Sequence, residues 1–460
     1  MKIFLTHAYY INEDAAELRI MKPYVPLGIL YISSYLKQHG FNVELYDSTF
    51  KSFEDQKKKL LDSKPEVIAV YCNLMTKLNV LPLMKFIRQE LPKSKIILGG
   101  PEPPFYSEEF LDAGADIVVE GEGEVTMKEL CEELSVEDYD LKKVKGIIFK
   151  NGTGLITKTP PREKINNIDE LPMPDRESVE LNLYLNAWKK AHGYSSVSVN
   201  TMRGCPYTCR WCSHSVYGTS YRRRSPEKTV EEISSIIKKY NSDMLWFVDD
   251  VFTISHKWLN KVNQLLKEQN IKIKFECISR SDRLDEETLK TLKEMGCFRL
   301  WIGAESGSQK VLDLMDRRVD AAKTREIIKL TRNYGIEAGT FIMLGYPGEN
   351  KRDIHETVKH LKDSMPDIFL TTVAYPIKGT PFFQEVEENI LTNLPWDKRT
   401  DRDLNFSGRY SKKYYKHANR YLVNEVNYHK MKLNGNAGLV EKGKTFLKAK
   451  ISKILMNITN

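Results

Sequence analysis

With 460 residues, 41% of them hydrophobic and 29% charged, the chain is long enough for two or three domains and too apolar to stay disordered. No apolar run approaches the ~20 residues that cross a bilayer. Met1–Leu5 reads as a first strand with no cleavage-site pattern behind it, so a cytoplasmic protein is expected. The net charge of +8 is lodged in the tail, where residues 401–460 carry ten Lys and three Arg against two Asp and two Glu. The seven cysteines agree with a reducing compartment: Cys205, Cys209 and Cys212 are clustered, while Cys72, Cys131, Cys277 and Cys297 sit singly in apolar surroundings.

The first 150 residues alternate short apolar runs with helical patterns. Strands are expected at Lys2–Thr6, Asn42–Tyr46, Glu66–Tyr71, Lys95–Leu98 and Ile117–Val119. Helices are expected at Gly28–Gln38, Phe53–Leu61, Leu78–Glu90, Ser107–Ala113 and Val125–Leu134. Most of the strand runs lack polar alternation, as strands buried on both faces of a parallel sheet do. The repeat predicts a doubly wound, Rossmann-like α/β domain with ligands at the strand carboxyl ends. Glycines gather there, in Gly99-Gly100-Pro101 and Glu120-Gly121-Glu122-Gly123-Glu124. Tight turns alone would also account for them, and no G-x-G-x-x-G follows the first strand, which excludes a dinucleotide fingerprint.

Residues 151–195 read as a connector. Asn151-Gly152 marks a hairpin turn between Gly146–Phe149 and Leu155–Lys158, and Pro160-Pro161 and Pro172-Met173-Pro174 mark extended backbone. Residues 196–385 resume the alternation. Strands are expected at Ser196–Thr201, Met244–Val248, Ile273–Ile278, Arg299–Gly303, Ala338–Leu344 and Phe369–Ala374, with helices between them. Six such repeats predict a partial (β/α)6 barrel with its active face at the strand carboxyl ends. Residues 386–460 form a mostly helical, basic extension.

The loop after Ser196–Thr201 carries Cys205-Pro206-Tyr207-Thr208-Cys209-Arg210-Trp211-Cys212. Three thiolates can hold three irons of a four-iron cluster and leave the fourth iron open to substrate. Zinc is the competing reading, with His214 completing a tetrahedron. Polar residues recur just after the following strands: Asp249-Asp250, Ser279-Arg280, Glu305-Ser306 and Gly345-Tyr346-Pro347-Gly348-Glu349. Carboxylates there can hold an amine or ribose hydroxyls, and an arginine can hold a carboxylate.

The CxxxCxxC spacing with Trp211 before the last cysteine, Asp249-Asp250, Gly303–Gly307 and Gly345–Glu349 resemble the radical S-adenosylmethionine (SAM) superfamily. Pro26–Ile32, Leu98–Pro101 and Glu120–Glu124 resemble the branch with a cobalamin (B12)-binding domain before the barrel. The resemblance implies a [4Fe-4S] cluster on Cys205, Cys209 and Cys212. It implies SAM held by Asp249 or Asp250 at its amine, Arg280 at its carboxylate and Glu305 at its ribose. It implies cobalamin against Gly99, Gly100, Gly121 and Gly123. The expected activity is methyl transfer to an unactivated carbon through a 5′-deoxyadenosyl radical, with cyclisation or oxidation without methyl transfer as the alternative. A small-molecule or lipid substrate and an electron donor such as flavodoxin or ferredoxin are the expected partners, and nucleic acid is not. A metal-stapled nucleic-acid module is the remote alternative, and it would require zinc. The Asp-x-His-x-x-Gly ligand motif of the mutases is absent, so His7 is expected to be structural. The lower face of cobalamin should then carry no histidine, and Tyr9, Tyr10 and Leu74 are candidates for it by position. Asn186–Trp188 and Tyr410–Tyr421 are aromatic stretches for which ordinary packing is expected over pocket lining.

The tail from Leu439 to Met456 has apolar residues at helical spacing with lysines round the remaining surface. Packing on the barrel and peripheral contact with an anionic membrane are the two readings.

Overall fold

Packing divides the chain into two units: residues 1–206, 213–246 and 393–403 form the first, and residues 207–212, 247–392 and 404–460 the second. The structure is a computed structural model and describes residues 1–434 and 438–459.

The first unit begins with β1 (Lys2–His7), α1 (Ala15–Ile20), α2 (Leu27–Gln38), β2 (Asn42–Tyr46), α3 (Phe53–Ser63), β3 (Val67–Tyr71), α4 (Lys77–Glu90) and β4 (Lys95–Gly99). It continues with α5 (Ser107–Asp112), β5 (Ile117–Val119), α6 (Gly123–Glu133), β6 (Ile147–Lys150) and β7 (Ile156–Lys158). The seven strands lie in the order β2-β1-β3-β4-β5-β6-β7. The first five pair in parallel, and β6 and β7 add an antiparallel edge across the predicted hairpin turn. Their apolar runs explain the burial: β1, β4 and β5 are covered on both faces, by one cluster around Phe4, Val70 and Leu98 and another around Leu5, Ile97 and Val119. The order reverses between β1 and β3, and the crevice beyond their carboxyl ends is where such sheets take ligands.

Helix α1, capped by the Asp14 carboxylate at the Ala16 and Glu17 amides, has no apolar periodicity and escaped the sequence reading. So did α7 (Leu181–His192), whose Trp188 is buried and donates its indole N–H to the Pro23 carbonyl. Strand β8 (Ser196–Val199) leads to β9 (Met202–Arg203), which pairs antiparallel with β10 (Arg222–Arg223) and so closes the base of the loop carrying the cysteines. Gly204 sits at that base with φ +81°, and a Cβ there would stand 2.5 Å from the Ser220 carbonyl oxygen. Helix α8 (Pro226–Lys239) and β11 (Met244–Phe247) follow.

The second unit contains α9 (His256–Glu268), β12 (Phe275–Ser279), α10 (Glu286–Met295), β13 (Cys297–Glu305), α11 (Gln309–Leu314), α12 (Ala321–Asn333) and β14 (Glu337–Leu344). After them come α13 (Lys351–Ser364), β15 (Ile368–Val373), α14 (Pro381–Val386), α15 (Lys412–Asn434) and α16 (Leu439–Ile458). Strands β12 to β15 pair in parallel in chain order. Tyr414, Tyr415 and Leu422 of α15 bury in one core with Leu344 and Val358, so the aromatic stretch Tyr410–Tyr421 supplies packing.

Candidate functional site

In the second unit the loop segment 207–212 is fastened by its backbone: Arg210 N–H donates to the Met315 carbonyl at 3.1 Å, and Phe382 N–H donates to the Arg210 carbonyl at 2.9 Å. Thr208 Oγ1 donates to Asp316 Oδ2 at 2.8 Å. These contacts hold Cys209, which is buried, and Cys212, whose N–H donates to the Cys209 carbonyl. Cys205 is half-buried at the start of the same loop.

Two guanidinium groups reach the Cys209 sulfur, Arg280 Nη1 at 3.6 Å and Arg317 Nη1 at 3.8 Å. Its thiol is pushed down to about 6 by the hydrogen bond with Cys212 and then by the charges of Arg317 and Arg280. The same hydrogen bond pushes Cys212 up. A sulfur stabilised as thiolate is the form that ligates iron, and N–H donors to cluster sulfurs tune the potential, so the donor set fits an iron–sulfur cluster. Among the described residues no three His, Cys, Asp or Glu side chains converge on one ion.

Arg280 is buried and oriented on three sides. Asp282 accepts from Nε at 2.8 Å, the Arg317 carbonyl accepts from Nη2 at 2.9 Å, and the Tyr207 ring lies 3.8 Å from Cζ. Arg317 donates from Nη2 to the Gly303 carbonyl at 3.0 Å, while its buried Nε lacks a hydrogen-bond partner and stands 3.9 Å from Glu305 Oε1. Arg317 escaped the sequence reading. It lies in Asp316-Arg317-Arg318, a polar turn between helices whose composition carries no signal of its own.

Glu305 ends β13 through a bulge: Gly303 pairs with Phe341 and Glu305 with Ile342, leaving Ala304 between them. The bulge re-aims the side chain, and the Glu305 backbone takes φ +60°, a left-handed conformation rare outside glycine and common at functional sites. Burial raises its carboxyl to about 7. Gly303 leaves room for both charged groups, since a Cβ there would lie 2.7 Å from Arg317 Nη2 and 2.8 Å from Glu305 Oε1 and would displace the two side-chain ends. Asp249 and Asp250 follow β11, the first buried and the second exposed. Cys209, Cys212, Arg280, Arg317 and Glu305 therefore form one electrostatic cluster. In Gly345–Glu349, the Glu349 carboxyl Oε2 accepts from Gly345 N–H at 2.6 Å, which makes this motif an internally tied turn.

In the first unit, the residues after β1 are committed internally. His7 Nε2 bonds Asp47 Oδ1 at 2.9 Å, and Nδ1 meets the Tyr9 N–H at 3.2 Å and Ser48 Oγ at 3.1 Å. Against the effect of burial, His7, the Tyr184 hydroxyl and the Thr49 N–H hold the Asp47 carboxyl below its usual range. Both ring nitrogens are thereby used, and the histidine has no lone pair left for a metal. The Tyr9 hydroxyl donates to Glu17 and the Tyr10 hydroxyl to Gln56, while Leu74 is half-buried in the loop after β3.

The glycines at the other strand ends differ from one another. A Cβ on Gly99 would meet open space, whereas one on Gly100, at φ +110°, would stand 2.3 Å from the Cys72 carbonyl oxygen. Gly100 is thus demanded by the fold, and Gly99 is the open position of the pair. Gly121 takes φ +82°, and Gly123 opens α6 where a Cβ would press on Ile32 at 2.7 Å. An open glycine at the carboxyl end of β4, one strand beyond the β1–β3 point where the strand order reverses, suits a flat ligand laid against backbone. The carboxylates of Glu120–Glu124 do not face such a ligand freely. Glu122 binds Arg203 at 2.7 Å and Arg222 at 2.6 Å, and Glu124 binds Arg203, all of them buried. The loop after β5 is thereby tied to the β9–β10 pair at the base of the cysteine loop.

The Radical SAM superfamily pattern matches residues 199–361 and the B12 binding domain pattern matches residues 19–131. An uncharacterized methyltransferase of Pyrococcus horikoshii, PH0819, is 29% identical over 385 residues, covering 82% of this chain and 82% of that protein. The anaerobic magnesium-protoporphyrin IX monomethyl ester cyclase of Cereibacter sphaeroides is 25% identical over 401 residues, covering 85% of this chain and 64% of that protein. Among solved structures, the cobalamin-dependent S-adenosylmethionine radical enzyme OxsB with aqua-cobalamin bound has a TM-score of 0.76 at 19% identity, covering 100% of this chain and 72% of that one. The two matched domains bring cobalamin, SAM and a [4Fe-4S] cluster as cofactors. The chain therefore carries a B12-binding domain followed by a radical SAM domain.

Proposed function

We propose that this enzyme is a cobalamin-dependent radical SAM methyltransferase that places a methyl group on an unactivated carbon. The observation that carries the proposal is the similarity to a protein named as a methyltransferase along 82% of both chains. Bound together, the cofactors supply a 5′-deoxyadenosyl radical for hydrogen abstraction and a methyl group for transfer. In this reading Cys205, Cys209 and Cys212 hold the cluster, and Arg280 and Arg317 stabilise its sulfur ligands. The buried Arg317 Nε that lacks a partner lets this arginine share with Arg280 the carboxylate of SAM. Asp249 or Asp250 takes the amine and Glu305 the ribose. Gly99, Gly100, Gly121 and Gly123 shape the cobalamin surface, with Gly99 giving the closest approach. The enzyme works in the cytoplasm on a small-molecule or lipid substrate, draws electrons from a flavodoxin or ferredoxin, and touches the membrane through its C-terminal helix.

A second reading, ring formation or oxidation without methyl transfer, is favoured by the similarity to the cyclase over 85% of this chain. The two separate in one experiment. The anaerobically reconstituted enzyme is incubated with reductant, SAM deuterated at its methyl group and a small-molecule and lipid extract. Methyl transfer yields 5′-deoxyadenosine and a product heavier by the labelled methyl. A changed product without label selects the second reading.

A further inference from the structure

Helix α16 has two apolar faces. Ala449, Ser452 and Met456 form the inner one, buried as the helix packs along α15, with Phe446 5.1 Å from the Tyr428 ring. The outer one consists of Val440, Leu447, Ile451, Ile454 and Ile458. At 3.6 residues per turn these five fall in a stripe about 60° wide, on the side of the helix opposite the buried face. They are exposed by 72%, 58%, 47%, 58% and 72% respectively, and their alignment makes one continuous apolar patch where singly scattered apolar residues would need no explanation. Lys444 and Lys448 run along one edge of the stripe and Lys450 along the other, while Lys453 turns toward α15 and lies over the Tyr421 ring.

Charge selects the occupant. From Leu439 onward the helix carries five lysines against the single Glu441. Lysines on both edges would confront lysines if a second copy lay on the stripe, and like charges in such flanking positions oppose pairing. No described helix is long and apolar enough to cross a membrane, so the stripe cannot belong to a span. An apolar face bordered on both sides by lysines matches a helix lying in the plane of a bilayer, its apolar side chains below the headgroups and its ammonium groups among the phosphates.

We propose that α16 docks the enzyme on an anionic lipid surface through Val440, Leu447, Ile451, Ile454 and Ile458, with Lys444, Lys448 and Lys450 engaging the lipid phosphates. The docking does not depend on which reaction the enzyme performs.

The full-length enzyme with its cofactors is sedimented with vesicles of phosphatidylcholine mixed with phosphatidylglycerol, and with vesicles of phosphatidylcholine alone. Association is expected with the anionic vesicles at low salt, falling as salt screens the charges. The variant Leu447→Ser/Ile451→Ser/Ile454→Ser is altered only at exposed positions and keeps its melting temperature and cofactor content. It is expected to bind at least about tenfold more weakly. Lys444→Gln/Lys448→Gln is expected to lose about fivefold per lysine. Failure of the full chain to bind anionic vesicles, equal binding to both vesicle types, or unchanged binding by the serine variant overturns the proposal. A dimer in solution that the serine variant converts to monomer also overturns it, by assigning the stripe to a second copy.

Discussion

Removing the Arg317 guanidinium takes one N–H from the Cys209 sulfur and the nearest positive charge from Glu305. A charge-assisted donor stabilises the reduced, more negative cluster, so Arg317→Gln should keep its iron and lower the reduction potential. The expected drop is about 60 mV, the one-electron equivalent of roughly 1.4 kcal/mol for one such hydrogen bond. Redox titration followed by electron paramagnetic resonance reads it, and an unchanged potential would remove Arg317 from the cluster's surroundings. A second residue-scale prediction concerns Glu349, whose carboxyl is raised by burial to about 8 from 4.5. Between those values the folded chain holds a proton that the unfolded chain has released, so folding loses stability as pH rises. The parent should therefore lose stability relative to Glu349→Gln from about pH 4.5 to about pH 8, with no further divergence above that. Melting temperatures of the pair across that range check it, and a difference constant with pH would contradict the buried, protonated carboxyl.

At the scale of elements, the loop after β4 offers a contrast between neighbours. Gly100→Ala forces a Cβ against the Cys72 carbonyl and a side chain into a left-handed conformation, and should cost more than about 1 kcal/mol of stability. Gly99→Leu meets no such obstacle, so it should melt like the parent and fail to retain cobalamin. Absorbance of the purified variants decides, and full cobalamin content in Gly99→Leu would move the cofactor away from this loop. The elements themselves were legible because their signals are local. Uninterrupted apolar runs such as Ile96–Leu98 and Ile117–Val119 can be covered only from both faces of a sheet. What escaped depends on partners distant in sequence. The two-residue pairing of Met202 and Arg203 with Arg222 and Arg223 spans the whole cysteine loop. The bulge at Ala304 reflects the register with β14, and the place of Arg317 comes from the packing of a turn. The glycine pair was recognised, but which glycine is open and which is locked follows from the Cys72 carbonyl alone.

For the whole molecule, the three-cysteine loop after β8, the reversed strand order at β1 and β3, and the two domain matches converge on one chain that binds both an iron–sulfur cluster and cobalamin. The lysine excess of the tail, visible in composition, acquires a direction only once α16 is seen to bury one apolar face and expose another. Metal analysis of the anaerobically reconstituted chain tests the central claim most directly. Four irons and one cobalt per chain are expected, about four irons being what a single cubane cluster holds, and Cys209→Ala should lose the iron while keeping the cobalt. Stoichiometric zinc with no iron in the parent chain would contradict the account.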